Sequence, residues 1–296
     1  MLRLEQNYRS TSTILEAANA LIEHNTERMG KALWTEGERG EKIRVYTAIN
    51  ELDEARFVKE RIMLALDEGR SFSDIAILYR SNAQSRVIEE ALLQAGIPYT
   101  IYGGMRFFER AEIKDAIAYL RLIVNMHDDS AFERIVNFPP RGIGEKTLDA
   151  IREKAKLANC SLWQATETLV SDNQFSARTH NALVQFIHCV FALKSSLTYE
   201  DLDKQIAYVL EESGLLSHYA KITVERSQSK LENLQELISA ARQFCYDSDV
   251  ENIDVTTALT LFLSTASLES GERETQSDGE SVQLMTLHSA KGMEFH

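Results

Sequence analysis

The 296-residue chain is short of the residues that break helices, with 3 prolines and 13 glycines. Folds rich in β-structure spend more of both on turns, so this scarcity predicts a helix-rich protein. Cysteine is scarce too. Cys160, Cys189 and Cys245 are odd in number, widely spaced and never in a C-x-x-C pair, which argues against a disulfide framework or a thiolate zinc site and leaves idle or buried thiols. The seven histidines show no H-x-x-x-H or H-E-x-x-H spacing, so no metal site built by the protein is expected. No run of about 18 apolar residues is present to span a membrane. The segment Met1–Asn7 lacks the charged-then-apolar layout of a secretory signal, so a cytoplasmic protein is the simplest reading. Positive charge is in deficit, with a net charge of −13. That excludes nonspecific nucleic-acid binding over the whole surface, and any DNA contact must be local. Two further absences bear on chemistry. No G-x-x-x-x-G-K-[ST] loop cradles a β-phosphate and no Asp-Glu pair follows a strand to hold magnesium, so the chain is not a complete ATPase.

What is present divides by periodicity. Hydrophobic residues make up 44% of the chain, ample for a packed core, and the length suits about two domains. Ser10 or Thr11 caps a first helix with an Ile14, Leu15, Ala18, Leu21 and Ile22 stripe. Ile43–Tyr46 reads as a strand. Asn50 then caps a helix bearing Ala55, Val58, Ile62 and Leu66 on one face, which Gly69 ends. Ile75–Tyr79 is an apolar strand; Arg80-Ser81-Asn82 caps a helix that Gly96 and Pro98 stop, and Thr100–Tyr102 returns as a strand. This βαβ rhythm predicts a parallel, doubly wound α/β domain up to about residue 105.

Beyond Gly104 strands disappear and helical stripes recur: Ile113, Ile117, Leu120 and Ile123; Leu148, Ile151 and Ala155; Ile206, Val209 and Leu210; Leu231, Leu234, Leu237, Ile238 and Ala241; Leu259, Phe262, Leu263 and Ala266. They share no fixed period, so an irregular helical domain is expected rather than a solenoid. The polar Glu269–Ser281 stretch reads as a linker. The strand Val282–Thr286 behind it cannot stand alone and is expected to rejoin the first sheet. The predicted fold class is therefore α/β plus all-α, a partial parallel-sheet domain interrupted by a large helical insertion, with boundaries at 1–105, 106–276 and 277–296.

Four clusters carry candidate chemistry. Tyr8-Arg9 sets a flat ring and a planar cation before a helix, suited to stacking on a base and pairing with a phosphate, or to a plain core tyrosine with a capping arginine. Tyr79-Arg80-Ser81-Asn82 lies at a strand's carboxyl end, where it suits a strand phosphate or simply caps a helix. Arg141-Gly142-Ile143-Gly144-Glu145-Lys146-Thr147 reads as a tight turn with an apolar plug between two glycines, whose amides would face one nucleic-acid phosphate beside Arg141 and Lys146, or as an ordinary turn. Residues 105–152 hold equal numbers of basic and acidic side chains, so the acid excess lies elsewhere. The fourth, Thr286-Leu287-His288-Ser289-Ala290-Lys291-Gly292-Met293-Glu294, crowds hydroxyls, an imidazole, an ammonium and a carboxylate into one loop after a buried strand.

Taken in order, these motifs resemble the second half of superfamily 1 DNA helicases of the UvrD/Rep/PcrA family. Leu4–Ser10 is similar to motif IV, Tyr79–Arg86 and Gly103–Asp115 to further signature blocks, and Gln283–Phe295 to motif V. The resemblance implies a C-terminal-half fragment of an ATP-dependent 3′-to-5′ helicase, cut after motif V, whose α/β domain is the second RecA-like (P-loop NTPase-type) motor lobe. It implies that Tyr8 stacks on adenine, Arg9 is the catalytic contact to the γ-phosphate and Glu294 bonds the ribose. Arg80, Asn82, His288 and Ser289 would touch single-stranded DNA, and Gly142-Ile143-Gly144 with Arg141, Lys146 and Thr147 would touch duplex. ATP and Mg2+ would serve the full-length protein, with none bound by the fragment alone, which is expected to be inactive. Partners implied are single-stranded and duplex DNA, the N-terminal motor domain of the same protein and repair proteins, with no membrane. The alternative is a stand-alone adaptor that binds DNA or a partner and has no motor activity.

Overall fold

The structure, a computed structural model, describes residues 5–25, 32–197, 201–221, 224–247, 254–271 and 280–295. It divides into two compact units, 1–54 and 55–296.

In the first unit, helix α1 (Ser12–Glu23) follows an extended N-cap at Thr11, as the sequence predicts. Only Leu15 of its stripe is buried; Ile14 and Leu21 stay exposed. Asn19 ties the helix to a passing segment, donating to the Leu33 carbonyl at 2.8 Å and accepting from the Leu33 amide at 3.0 Å. The expected strand at 43–46 does not form. Its residues have strand propensity, yet among the described residues no neighbouring strand satisfies their backbone, and Val45 is 89% exposed. Helix α2 (Glu51–Asp67) begins where expected, with the Asn50 side chain accepting from the Asp53 amide at 2.9 Å.

The second unit holds one parallel sheet and a helical array. Strand β1 (Ala76–Tyr79) leads through a Ser81/Gln84 capping box into helix α3 (Ser85–Gln94), which ends at Gly96, φ +66°. Strand β2 (Tyr99–Ile101) follows. The chain then runs through α4 (Ala111–Val124), α5 (Asp129–Ile135), α6 (Glu145–Ala158), α7 (Leu162–Ser171), α8 (Ala177–Ser195), α9 (Leu202–Glu212), α10 (Leu215–Ala220), α11 (Val224–Asp247) and α12 (Val255–Gly271). It returns as β3 (Val282–Thr286), which lies between β1 and β2 and is parallel to both. The lone strand thus rejoins the first sheet, at its centre. Val282, Leu284 and Met285 are wholly buried, as a two-faced parallel strand requires. The sheet and the inner faces of α2 and α3 share one apolar cluster that includes Ile62, Ile88, Leu92 and Leu284.

All five predicted helical stripes belong to a second, larger cluster. The expected linker is shorter than its composition implies: Glu269–Gly271 complete α12, and 272–279 lie outside the described residues.

Between these clusters runs a polar junction. Arg86 on α3 is 5% exposed and reaches α11, donating to Glu236 at 2.6 Å and to Gln243 at 2.9 Å. Arg110, just before α4, reaches the other way, to the Asn82 carbonyl at 2.9 Å, the Ser85 hydroxyl at 2.7 Å and Asn233 on α11 at 3.0 Å. The Ser85 hydroxyl donates in turn to Glu89, which also accepts from the Phe107 amide at 3.3 Å. Burial raises the Glu89 carboxyl above the usual range against the pull of Ser85 and Arg110. A carboxyl raised by folding stabilises the fold below its unfolded value and loses that contribution as pH rises through the folded one. Glu89→Gln is therefore expected to flatten the fall in unfolding free energy that starts just above the ordinary carboxylate range, read from urea titrations at stepped pH; an unchanged slope would count against it.

Candidate nucleic-acid interface

Because its three strands are parallel, the sheet delivers three chain segments to one carboxyl edge, where open α/β sheets bind ligands. After β1, the Gln84 side chain accepts the amides of Arg80 at 3.0 Å and Ser81 at 3.1 Å, fixing the backbone from which an exposed Arg80 projects. The Ser81 hydroxyl is committed to Glu232 at 2.6 Å, and the Asn82 carbonyl to Arg110 at 2.9 Å. After β3, Leu287 continues the ladder by donating to the Tyr79 carbonyl at 3.0 Å, and the chain then turns. Thr286 Oγ1 accepts the Ser289 amide at 3.2 Å and lies 3.0 Å from its hydroxyl, while Gly292 takes φ +92°. His288 and Glu294 are exposed on this turn. After β2, Gly103 passes so close that a Cβ there would stand 3.1 Å from Ser289 Oγ. Arg80, Asn82, His288 and Ser289, distant in sequence, are thus gathered at one edge.

In the first unit, Asn7 Oδ1 accepts the amides of Arg9 at 2.9 Å and Ser10 at 2.8 Å. This side-chain turn presents the Tyr8 ring to solvent at 86% exposure, its hydroxyl donating to Gln6 at 2.8 Å. A ring left this bare on an ordered turn suits stacking on a base. Tyr8 and Arg9 thus stand together immediately before α1.

The turn at 141–147 departs in part from expectation. Ile143 is 1% exposed and forms the predicted plug, with Gly142 at φ +82° and Gly144 as N-cap of α6. Arg141, however, points inward. Its guanidinium donates to the carbonyls of Ile135 at 3.0 Å and Pro139 at 3.2 Å, bonds the Tyr119 hydroxyl and lies over the Phe186 ring. Burial pushes Tyr119 up to about 12, so its neutral hydroxyl accepts from Arg141 while donating to the Phe138 carbonyl at 2.7 Å. Arg141 thus braces the turn from within, whereas the sequence alone places it beside a phosphate at the turn. The turn's amides are also partly used, since Asn137 Oδ1 takes those of Arg141 at 2.9 Å and Ile143 at 3.1 Å. Lys146 stays exposed and Thr147 half-buried.

Two arginines escaped the sequence reading. Arg86 sits within an apolar stripe of α3, between Ser85 and Val87-Ile88, and a buried charge there is the one legible hint of the junction. Arg178, in the first turn of α8, comes beside Gly142 only through tertiary folding.

The chain matches the model of the UvrD-like helicase C-terminal domain over residues 2–296. It is 53% identical over 294 residues to DNA helicase II of Escherichia coli (strain K12) and 53% identical over 294 residues to DNA helicase II of Salmonella typhimurium. Over 296 residues it is 40% identical to the ATP-dependent DNA helicase PcrA of Leuconostoc citreum. Each comparison covers 99% of the chain and 39% or 40% of the relative, so the chain spans about two fifths of the length of these proteins.

Proposed function

The chain belongs to the UvrD-like helicase C-terminal domain family, and from that premise we propose that it supplies the second motor domain of an ATP-dependent DNA helicase acting 3′ to 5′ in repair and replication. Residues 1–105 and 277–296 form that RecA-like domain on this reading, and 106–276 its helical insertion. The observation that supports it most is the central position of β3, which brings His288 and Ser289 to the sheet edge that carries Arg80 and Asn82. A mixed row of hydroxyl, imidazole and guanidinium donors binds phosphate oxygens without reading sequence, which is what travel along a single strand demands.

ATP supplies the free energy for that travel when bound. Within the first unit, Tyr8 offers a stacking face to the base and Arg9 a cation to the γ-phosphate. The loop that cradles the β-phosphate and the acidic ligands of Mg2+ come from the N-terminal motor domain, so the chain alone hydrolyses no ATP. The Gly142-Ile143-Gly144 turn, its two glycines exposed on either side of the buried plug, meets duplex with Lys146 and Thr147 ahead of the strand.

Arg80→Ala combined with His288→Ala in the full-length helicase is expected to lower affinity for single-stranded DNA about tenfold, roughly 1.4 kcal/mol. Fluorescence anisotropy with a labelled oligonucleotide measures it. Affinity within twofold of the parent protein would remove the sheet edge from the DNA path.

A further inference from the structure

We infer that Glu232, far along the helical array, is a positioning residue for the single-strand contact at the sheet edge; the inference rests on the reading of Arg80 and Asn82 as strand ligands. The first ground is the bond that holds Ser81, the residue between those two. As a cap, its hydroxyl accepts the Ala83 amide only at 3.4 Å, whereas it donates to the Glu232 carboxylate at 2.6 Å. A hydroxyl-to-carboxylate bond of that length is among the strong ones, so α11 fixes this side chain more firmly than its own helix turn does. Gln228, one turn earlier on α11, donates to the other Glu232 oxygen at 3.2 Å and steadies the carboxylate.

The second ground is that the tie belongs to a set. Glu232, Glu236 and Gln243 stand at i, i+4 and i+11 of α11 and share one face. Glu236 and Gln243 hold Arg86 at 2.6 Å and 2.9 Å. Asn233, beside them, accepts from Arg110, which donates to the Asn82 carbonyl, and Asn233 is itself anchored to Glu112 at 2.6 Å. One helix of the array thus sets the place of residues 81, 82 and 86.

The third ground is the contrast along the edge. His288 and Ser289 are mounted on the sheet, through the Leu287 amide on the Tyr79 carbonyl and the Ser289 amide on Thr286 Oγ1. Arg80 and Asn82 flank a residue mounted on α11. A strand that meets both groups at once requires the two mountings to keep their spacing, and Glu232 sets one end of it. Its charge works the other way, since a carboxylate beside a phosphate path repels the strand. Bond and charge therefore have opposite effects on affinity, and a pair of substitutions separates them.

The test uses the full-length helicase and a labelled single strand, read by anisotropy across a salt series. Glu232→Gln drops the charge and keeps an oxygen that accepts from Ser81; Glu232→Ala drops both. The ratio of their affinities therefore isolates the bond. Glu232→Ala is expected to bind the strand about three- to fivefold less tightly than Glu232→Gln, at matching slopes of log K against log salt. Ser81→Ala added to Glu232→Ala should cost less than about twofold more, because the bond is already gone. In ATP hydrolysis, the strand concentration for half-maximal stimulation should be higher in Glu232→Ala than in Glu232→Gln by the same factor, at equal maximal rates. A merely structural residue would instead lower the maximal rate through loss of folded enzyme. Equal strand affinities in the two Glu232 variants would overturn the inference. So would a full further loss from Ser81→Ala on the Glu232→Ala background, which would make Ser81 a strand ligand in its own right. The Arg80→Ala/His288→Ala protein keeps the two layers apart. If its affinity falls while the two Glu232 variants match, the edge binds the strand without help from α11. If its affinity holds, the edge reading falls and the inference with it.

Discussion

Arg110→Ala is expected to lower the unfolding free energy by about 3–5 kcal/mol, the largest stability effect of any single substitution considered. The side chain is 7% exposed and satisfies the Asn82 carbonyl, the Ser85 hydroxyl and Asn233 at once. Truncation leaves those acceptors without their donor, and it leaves Glu89, 3.8 Å away and 6% exposed, without its nearest cation. Desolvated groups stripped of partners cost far more than the net worth of the bonds they made. Arg110→Lys should recover little, because one ammonium cannot reach acceptors arrayed around a planar fork. Urea unfolding followed by far-UV circular dichroism measures the change. A loss under about 1 kcal/mol would mean that water enters the junction and replaces the arginine.

The largest functional effect is expected at Arg9. In the full-length helicase, Arg9→Ala should cut DNA-stimulated ATP hydrolysis by about a thousandfold, the lower range for an arginine that stabilises charge on a transferring phosphoryl group. DNA affinity should stay within about twofold, which keeps the loss in transition-state stabilisation rather than strand binding. Asn7 Oδ1 accepts the Arg9 backbone amide, a bond that the substitution leaves in place while it removes the cation. Steady-state phosphate release against single-stranded DNA concentration separates the two terms. A fall of less than tenfold in the maximal rate would assign the γ-phosphate to another residue.

Much of the architecture was legible because hydrophobic periodicity and capping act locally. The Val282–Thr286 run was too apolar to stand in water and too short to stand alone, so its return to the sheet followed; that it would take the central place did not, because order within a sheet depends on partners far along the chain. Residues 43–46 show the converse limit: strand propensity forms no strand without a neighbour to complete its ladder. Helix α8 bears Leu183, Phe186, Val190 and Leu193 at helical spacing, a readable stripe beyond the five identified, whereas α10, six residues long, is too short to show a period. At the site, backbone features survived best. The plug at Ile143 and the cap at Ser81 depend on neighbours in sequence, while the direction of the Arg141 guanidinium depends on Tyr119 and Phe186, which no spacing reveals.

The central position of β3 also sets an order of events during synthesis. β1 and β2 do not pair with each other; each waits for a strand that leaves the ribosome only after α4 to α12. At about 5–20 residues per second, that interval is roughly 10–40 s, long beside the folding time of a helical array rich in local contacts. The helices therefore have time to pack before the sheet can close, and the sheet is completed only when its last strand arrives between the first two.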